Sequence, residues 1–297
     1  MATANERLAE RTRRLLRELG VRPRRERGQN FLIDPAVARR TAEIVCDGVR
    51  PRVLELGAGL GALTEQLAER SQAVIALELQ PQFAAALQAL FAGRPDVKTV
   101  EADALKVGFA DLLDGPPNEW RVAGNLPYYA ASAILLRLLE TRPPFERLVA
   151  MVQREVGERL LARPGDAQYG SLSVLAAYRL GSARVALRVP RGAFYPQPKV
   201  DSVLLVLEPR QGPASGVVDE ALLFAVIRAG FGQRRKQLVG TLTKATGLGP
   251  LDRGTAIAAL GEAGFGRRAR PEELDLGAFV ALSNGLARSG VSVIVPP

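Results

Sequence analysis

From residue 52 onward short apolar runs alternate with amphipathic segments, and that alternation restricts the fold more than any other feature of the chain. Arg52–Leu56, Ala73–Glu78, Val97–Glu101, Trp120–Gly124 and Arg147–Val152 are predicted strands. Leu60–Arg70, Pro81–Phe91, Ala130–Leu139 and Arg154–Ala162 are predicted helices. Near-continuous apolar strands separated by helices build a mostly parallel sheet, because each crossover helix must return over one of its faces. Arg184–Val189 and Val203–Leu207, joined by a Pro-rich stretch, are expected as an antiparallel pair at the sheet edge. Gln211–Gly216 has the composition of a linker. Beyond it only helical periodicity appears, over Ala221–Arg228, Lys236–Thr243, Ala256–Gly261 and Leu276–Leu286. The expected fold is α/β, a Rossmann-like domain over residues 28–210 and a small all-helical domain over 211–297. A basic N-terminal extension, residues 1–27, precedes them.

That extension carries nine Arg against four acids, and Leu8, Leu15, Leu16 and Leu19 fit one helical stripe. A basic amphipathic helix followed by a basic loop at Arg24 and Arg25 is expected, with a phosphate-binding role and a merely solvated face equally open. Over the whole chain, 40 Lys and Arg face 31 Asp and Glu, a formal charge of +9, and five of the 40 are Lys. Arg binds phosphate bidentately and stacks on bases, so the surplus favours nucleic acid or an acidic membrane surface as partner over a small neutral substrate. Drift toward Arg in composition is the competing reading.

The chain has no histidine and one cysteine, Cys46. Imidazole base catalysis, Ser-His-Asp hydrolysis and His-containing zinc sites are excluded, and no metal site is expected. Cys46 has no internal disulfide partner and reads as a small buried hydrophobe in a reduced compartment. No apolar run approaches the roughly 20 residues that span a bilayer, so a soluble, cytoplasmic protein is expected.

Leu54-Glu55-Leu56-Gly57-Ala58-Gly59-Leu60-Gly61 sits where a predicted strand turns into a helix, and there glycines let a ligand approach the backbone. Glu78 ends the next strand, placed to accept both hydroxyls of a ribose. Those two features fit NAD and S-adenosylmethionine alike. Glu55 tips the reading toward the methyl donor, because a carboxylate there would repel a pyrophosphate but suits a cationic sulfonium cofactor. Asp103, past the third strand, is placed to accept from the adenine amino group of such a cofactor.

Gly124-Asn125-Leu126-Pro127-Tyr128-Tyr129 follows the fourth strand, at the edge where open α/β sheets bind ligands. The exocyclic nitrogen of adenine is a weak nucleophile because its lone pair is delocalised into the ring. Two acceptors aimed at its N–H bonds, the Asn125 side-chain carbonyl and the Leu126 backbone carbonyl, hold it out of that plane. Pro127 fixes the backbone and Tyr128 offers a ring for stacking. An ordinary turn with a packed tyrosine is the competing reading of the tetrapeptide alone.

With these motifs in this order, the chain resembles the ribosomal RNA adenine N6-dimethyltransferases of the KsgA type. The likeness runs from Gly28-Gln29-Asn30-Phe31-Leu32 to about Leu276, and includes Gln153-Arg154-Glu155-Val156 and Phe194-Tyr195-Pro196-Gln197-Pro198-Lys199-Val200-Asp201-Ser202. It implies a class I S-adenosylmethionine-dependent methyltransferase fold and dimethylation of two adjacent adenines in a hairpin loop near the 3′ end of 16S rRNA, on the immature small subunit. It also implies that Asn30 and Leu32 lie against the cofactor, with Gly57 at its methionine end, Glu78 at the ribose, Asp103 at the adenine and Asn125 at the reaction site; Gly59 is a further cofactor-binding candidate. Phe194 would face Tyr128 across the target base. Two departures stand out: Ala58 where proline is common, and Ala130–Ala133 where a Ser/Thr-Pro step often starts the next helix.

Arg228, Arg234, Arg235 and Lys236 form a basic cluster in the helical domain that suits RNA phosphate, with a solvated helix end as the alternative. A monomer is expected. Three other functions stay open here: a 23S rRNA methyltransferase of the macrolide-resistance type, a mainly non-catalytic ribosome-assembly factor, and a nicotinamide oxidoreductase resting on the glycine loop alone.

Overall fold

In the computed structural model, which describes residues 4–23, 29–210, 216–233 and 236–294, the apolar runs lie side by side in one sheet. The chain enters through α1 (Ala4–Glu18), the two-residue strand β1 (Phe31–Leu32) and α2 (Pro35–Cys46). Strands and helices then alternate as β2 (Arg52–Leu56), α3 (Ala62–Ala68), β3 (Ala73–Glu78), α4 (Pro81–Leu90) and β4 (Val97–Glu101). A short α5 (Phe109–Leu112) leads to β5 (Trp120–Asn125), α6 (Ala131–Glu140) and β6 (Arg147–Gln153). Next come α7 (Arg154–Leu161), α8 (Ser171–Arg179), β7 (Leu180–Val189), the two-residue β8 (Phe194–Tyr195) and β9 (Ser202–Pro209). The remaining helices are α9 (Glu220–Phe231), α10 (Leu238–Leu242), α11 (Arg253–Glu262) and α12 (Leu276–Arg288).

Among the described residues the main sheet has seven strands in the order β4-β3-β2-β5-β6-β9-β7. The first five in that order are parallel, and β9 runs antiparallel to β6 with Leu148 opposite Leu207. Four central strands are buried almost throughout, as their unbroken apolar runs require when helices cover both faces. The chain moves from β2 to β3 and β4 on one side, then returns to place β5 and β6 on the other. Loops leaving β2 and β5 therefore diverge and open a crevice at the carboxyl ends of the strands.

Local signals explain the element starts. Asp34 caps α2 by accepting from the Ala36 and Val37 N–H groups at 2.8 and 3.2 Å, with Pro35 at the first helical position. The leucine stripe of α1 does not face solvent. Leu16, 3% exposed, packs with Phe31, Leu60 and Phe83, flanked by Leu15 and Leu19. Arg11 fastens the same helix to the start of α3 by an ion pair with Glu65 at 2.5 Å and a bond to the Leu60 carbonyl at 3.3 Å.

The chain divides into two compact units, residues 1–157 with 181–211, and residues 158–180 with 212–297. Residues 158–180 thus group with the C-terminal helices, whereas the sequence boundary at 210 had put them in the α/β domain. They include α8, which has no counterpart among the predicted elements. That helix is buried on nearly all sides, from Leu172 to Arg179, so it carries no amphipathic stripe to read. Its Arg179, 3% exposed, is held by both oxygens of Glu220 at 2.6 and 2.9 Å, and Tyr178 also donates to Glu220.

Candidate active site

The crevice between β2 and β5 is an open cleft. Its walls bring together Asn30, Leu32, Glu55, Gly57, Gly59, Glu78, Asp103 and Asn125, eight sequence candidates drawn from five separate stretches of chain.

The glycine turn forms one wall. Gly57, Gly59 and Gly61 have φ of 72°, 59° and 84°, in the left-handed region where a side chain is strained. A Cβ on Gly57 would sit 3.3 Å from the Asn125 backbone oxygen, so the turn lies directly against the end of β5. The Gly57 and Ala58 N–H groups both donate to the Leu77 carbonyl, at 2.9 and 3.1 Å. Alanine at position 58 thus supplies a hydrogen bond that proline could not.

Glu78 binds the turn from the next strand, accepting from Gly59 N–H and Gln80 N–H at 2.9 Å each. Burial raises its pKa, with those N–H donors opposing the rise. Its oxygens retain further lone pairs for hydroxyl donors. Glu55 is 1% exposed, and burial pushes its carboxyl up to about 7, with the Glu78 charge adding to the rise. Its Oε2 has no hydrogen-bond partner. Asp103 caps its own turn, accepting from Leu105 N–H at 2.8 Å, and also lines the cleft.

Asn125 ends β5 with its amide Nδ2 donating to the Asn30 backbone carbonyl at 2.9 Å. That bond leaves the Asn125 Oδ1 buried without a partner, and the Asn30 Oδ1 is likewise unpartnered. β1 is positioned for this by its antiparallel pairing with β8, Phe31 opposite Tyr195 and Leu32 opposite Phe194. Three buried acceptors around one cleft (Asn30 Oδ1, Glu55 Oε2 and Asn125 Oδ1) represent an unmet need for donors. A ligand bearing positive charge and N–H groups meets it.

The aromatic candidates fall differently. Tyr128 is half-buried, its phenol 2.8 Å from Ser202 Oγ, and burial raises its pKa. Phe194 is 2% exposed inside the core cluster that includes Leu32 and Met151, so its ring is not presented at the cleft. Neither Phe194 nor Tyr128 is among the residues that line the cleft. Tyr129, which the sequence reading passed over, is 60% exposed and forms part of the rim. A second aromatic beside the first was its only signal. Leu126 is 1% exposed and donates its N–H to the Met151 carbonyl at 3.0 Å, which fixes the turn leaving β5. α6 begins just beyond, at Ala131, and Ala130 before it provides no side-chain cap.

Of the RNA-binding candidates, Arg228 in the last turn of α9 and Lys236 before α10 are exposed. Arg24, Arg25, Arg234 and Arg235 lie outside the described residues. Among the described residues no group of three or more His, Cys, Asp or Glu is arranged to hold a metal, and no helix is long and apolar enough to cross a membrane.

Comparison with known proteins agrees with this geometry. The chain is 44% identical over 283 residues to the ribosomal RNA small subunit methyltransferase A of Moorella thermoacetica, covering 93% of this chain and 96% of that one. It is 42% identical over 277 residues to the protein of the same name from Geobacter sulfurreducens, covering 92% and 99%. Among solved structures, a dimethyladenosine transferase from Plasmodium falciparum shares the fold, with a TM-score of 0.68, 24% identity and coverage of 88% and 98%. The 23S rRNA methyltransferase ErmE gives 0.57 and 29%, with coverage of 87% and 100%. Residues 20–255 match the family described as ribosomal RNA adenine dimethylase, and the chain belongs to that family.

Proposed function

We propose that this enzyme transfers methyl groups to N6 of two adjacent adenines in the 3′-terminal hairpin loop of 16S rRNA, acting in the cytoplasm as a monomer on the immature small subunit. S-adenosylmethionine is its methyl donor, and supplies an electrophilic methyl group on a cationic sulfur. The residues fit that group: the unpartnered Glu55 and Asn30 oxygens suit its positive charge and amino protons. The left-handed glycines leave room for close approach. Glu78 is assigned to the ribose hydroxyls and Asp103 to the adenine amino group.

The observation that carries the reading is the buried, unpartnered Oδ1 of Asn125 beside the glycine turn. An acceptor held there by the Asn30 carbonyl takes one N–H of the target amine. The Leu126 carbonyl takes the other, which draws the lone pair out of the ring plane and toward the methyl group. No strong base is needed at this stage, in keeping with a chain that has no histidine. The proton lost after transfer passes to water. Tyr128 supplies a stacking surface, and stacking returns roughly 1–3 kcal/mol against the cost of unstacking the target base. Phe194 joins as a clamp only if RNA binding opens the packing around it. The helical unit with Arg228 and Lys236, together with the basic residues at 24, 25, 234 and 235, is assigned to RNA phosphate.

Asn125→Ala is expected to lower turnover by about 10²–10³-fold, the usual cost of one preorganised polar contact to the reacting group, while cofactor binding changes little. Methyl incorporation into small subunits from a methylation-deficient strain, read by mass spectrometry of the RNA hydrolysate, tests both residue and product. Undiminished dimethyladenosine with the variant refutes the assignment. Methylation of 23S rather than 16S rRNA would favour the macrolide-resistance reading, to which the likeness to ErmE points. Rescue of subunit maturation by the dead variant would favour the assembly role.

A further inference from the structure

Arg137 lies on α6, one helical turn past the cleft-lining Ile134, and does not itself line the cleft. Its guanidinium reaches back to the loop after β4: Nη1 donates to the Ala104 carbonyl at 2.5 Å and Nη2 to the Val107 carbonyl at 2.8 Å. The cation also sits 5.0 Å from the centre of the Phe109 ring. These contacts join two walls of one site. On one side are Ala102, Asp103, Ala104 and Leu105; on the other are Tyr129, Ala130 and Ile134, from the end of the Asn125 motif and the start of α6.

Each wall has hydrogen bonds of its own, and the Arg137 fork joins one wall to the other. The loop has left the sheet at Glu101, and its turn is held by the Asp103 carbonyl accepting from Lys106 and Val107 N–H, each at 2.9 Å. The facing helix starts at Ala131, and Ala130 before it provides no side-chain cap. We propose that Arg137 is a positioning residue that locks the Asp103 loop against α6, and so sets affinity for the adenosine half of the cofactor without touching it. The planar fork of Arg suits two carbonyls at once, whereas Lys offers one compact ammonium group that serves both poorly. Without the fork, the Ala104 and Val107 carbonyls turn to water and Asp103 no longer has one fixed position.

The proposal rests on the assignment of Asp103 to adenine, and the test separates the two. In the full-length protein, Arg137→Met, Arg137→Lys and Asp103→Ala are compared by calorimetry with S-adenosylhomocysteine and with 5′-methylthioadenosine, which carries the adenosine half alone. Arg137→Met is expected to weaken both ligands by the same factor, about tenfold, the usual consequence of losing one charge-assisted hydrogen bond. In turnover the change falls on KM for the methyl donor rather than on kcat or KM for RNA. Arg137→Lys retains part of the affinity, and reports on the proposal by itself should the Met variant not fold. A folded Arg137→Met protein with unchanged affinity for 5′-methylthioadenosine overturns the proposal. So does a lowered melting temperature with KM for the methyl donor unmoved. If Asp103→Ala leaves 5′-methylthioadenosine binding intact, the adenine assignment fails instead, whatever Arg137 does.

Discussion

Glu55 offers the sharpest quantitative test of the site. Its carboxyl is 1% exposed, has one oxygen without a partner, and is pushed by burial from an ordinary 4.5 to about 7. Each tenfold change in proton affinity corresponds to about 1.4 kcal/mol, so keeping this group ionised costs the cofactor-free protein roughly 3 kcal/mol at pH 8. The folded state binds the proton more tightly than the unfolded chain. Its contribution is therefore fully present below about pH 4.5, is lost as pH rises toward 7, and is constant above. Glu55→Gln keeps the shape and removes the charge. It is expected to raise the melting temperature of the cofactor-free protein at pH 8 by roughly 6–12 °C, and by little at pH 5. Affinity should move the opposite way, because the α-ammonium group that S-adenosylhomocysteine shares with the methyl donor favours the ionised carboxylate. The wild-type protein should bind S-adenosylhomocysteine about tenfold more weakly at pH 6 than at pH 8, while the variant binds weakly at both. Scanning fluorimetry and calorimetry from pH 5 to 8.5 give both curves. Parallel curves for the two proteins would show that Glu55 does not titrate in this range, and the argument would fail.

Two further substitutions probe how the site is held. Gly124→Ala places a Cβ 2.4 Å from the Leu56 backbone oxygen, where neither strand can yield. A loss of about 3 kcal/mol in urea unfolding is expected, and an unchanged midpoint would refute the close approach of β2 and β5. Leu16→Ala removes the α1 side chain packed on Phe31, Leu60 and Phe83, three residues that also line the cleft. A cost of about 2–5 kcal/mol is expected, together with weaker S-adenosylhomocysteine binding. Full affinity in a destabilised variant would show that α1 supports the fold but not the site.

Periodicity placed the central strands within a residue or two, because a strand buried on both faces must be apolar throughout and so stands out in any reading. The same logic hid α8, which is buried on nearly all sides and shows no contrast between faces. It also made the linker at 211 look like the whole domain boundary, although contacts group residues 158–180 with the C-terminal helices. Residues at strand ends were legible one by one, since Glu55, Glu78, Asp103 and Asn125 each follow an apolar run that fixes where they emerge. Resemblance supplied Asn30 and Leu32, for which no local pattern argues.

Sequence by itself thus determined the chemistry on offer: a glycine turn, acids at successive strand ends, an amide before Pro127, and no imidazole anywhere. Tertiary structure decided how that chemistry is held, through the Asn30 carbonyl that orients Asn125, the Arg137 fork that ties two walls, and the burial that shifts Glu55. It also put Phe194 in the core and Tyr129 on the rim. The physical reason is range. Propensity and patterning act over a few residues, whereas exposure, orientation and proton affinity depend on groups as far apart in the chain as Asn30 and Asn125, which meet only when the chain folds.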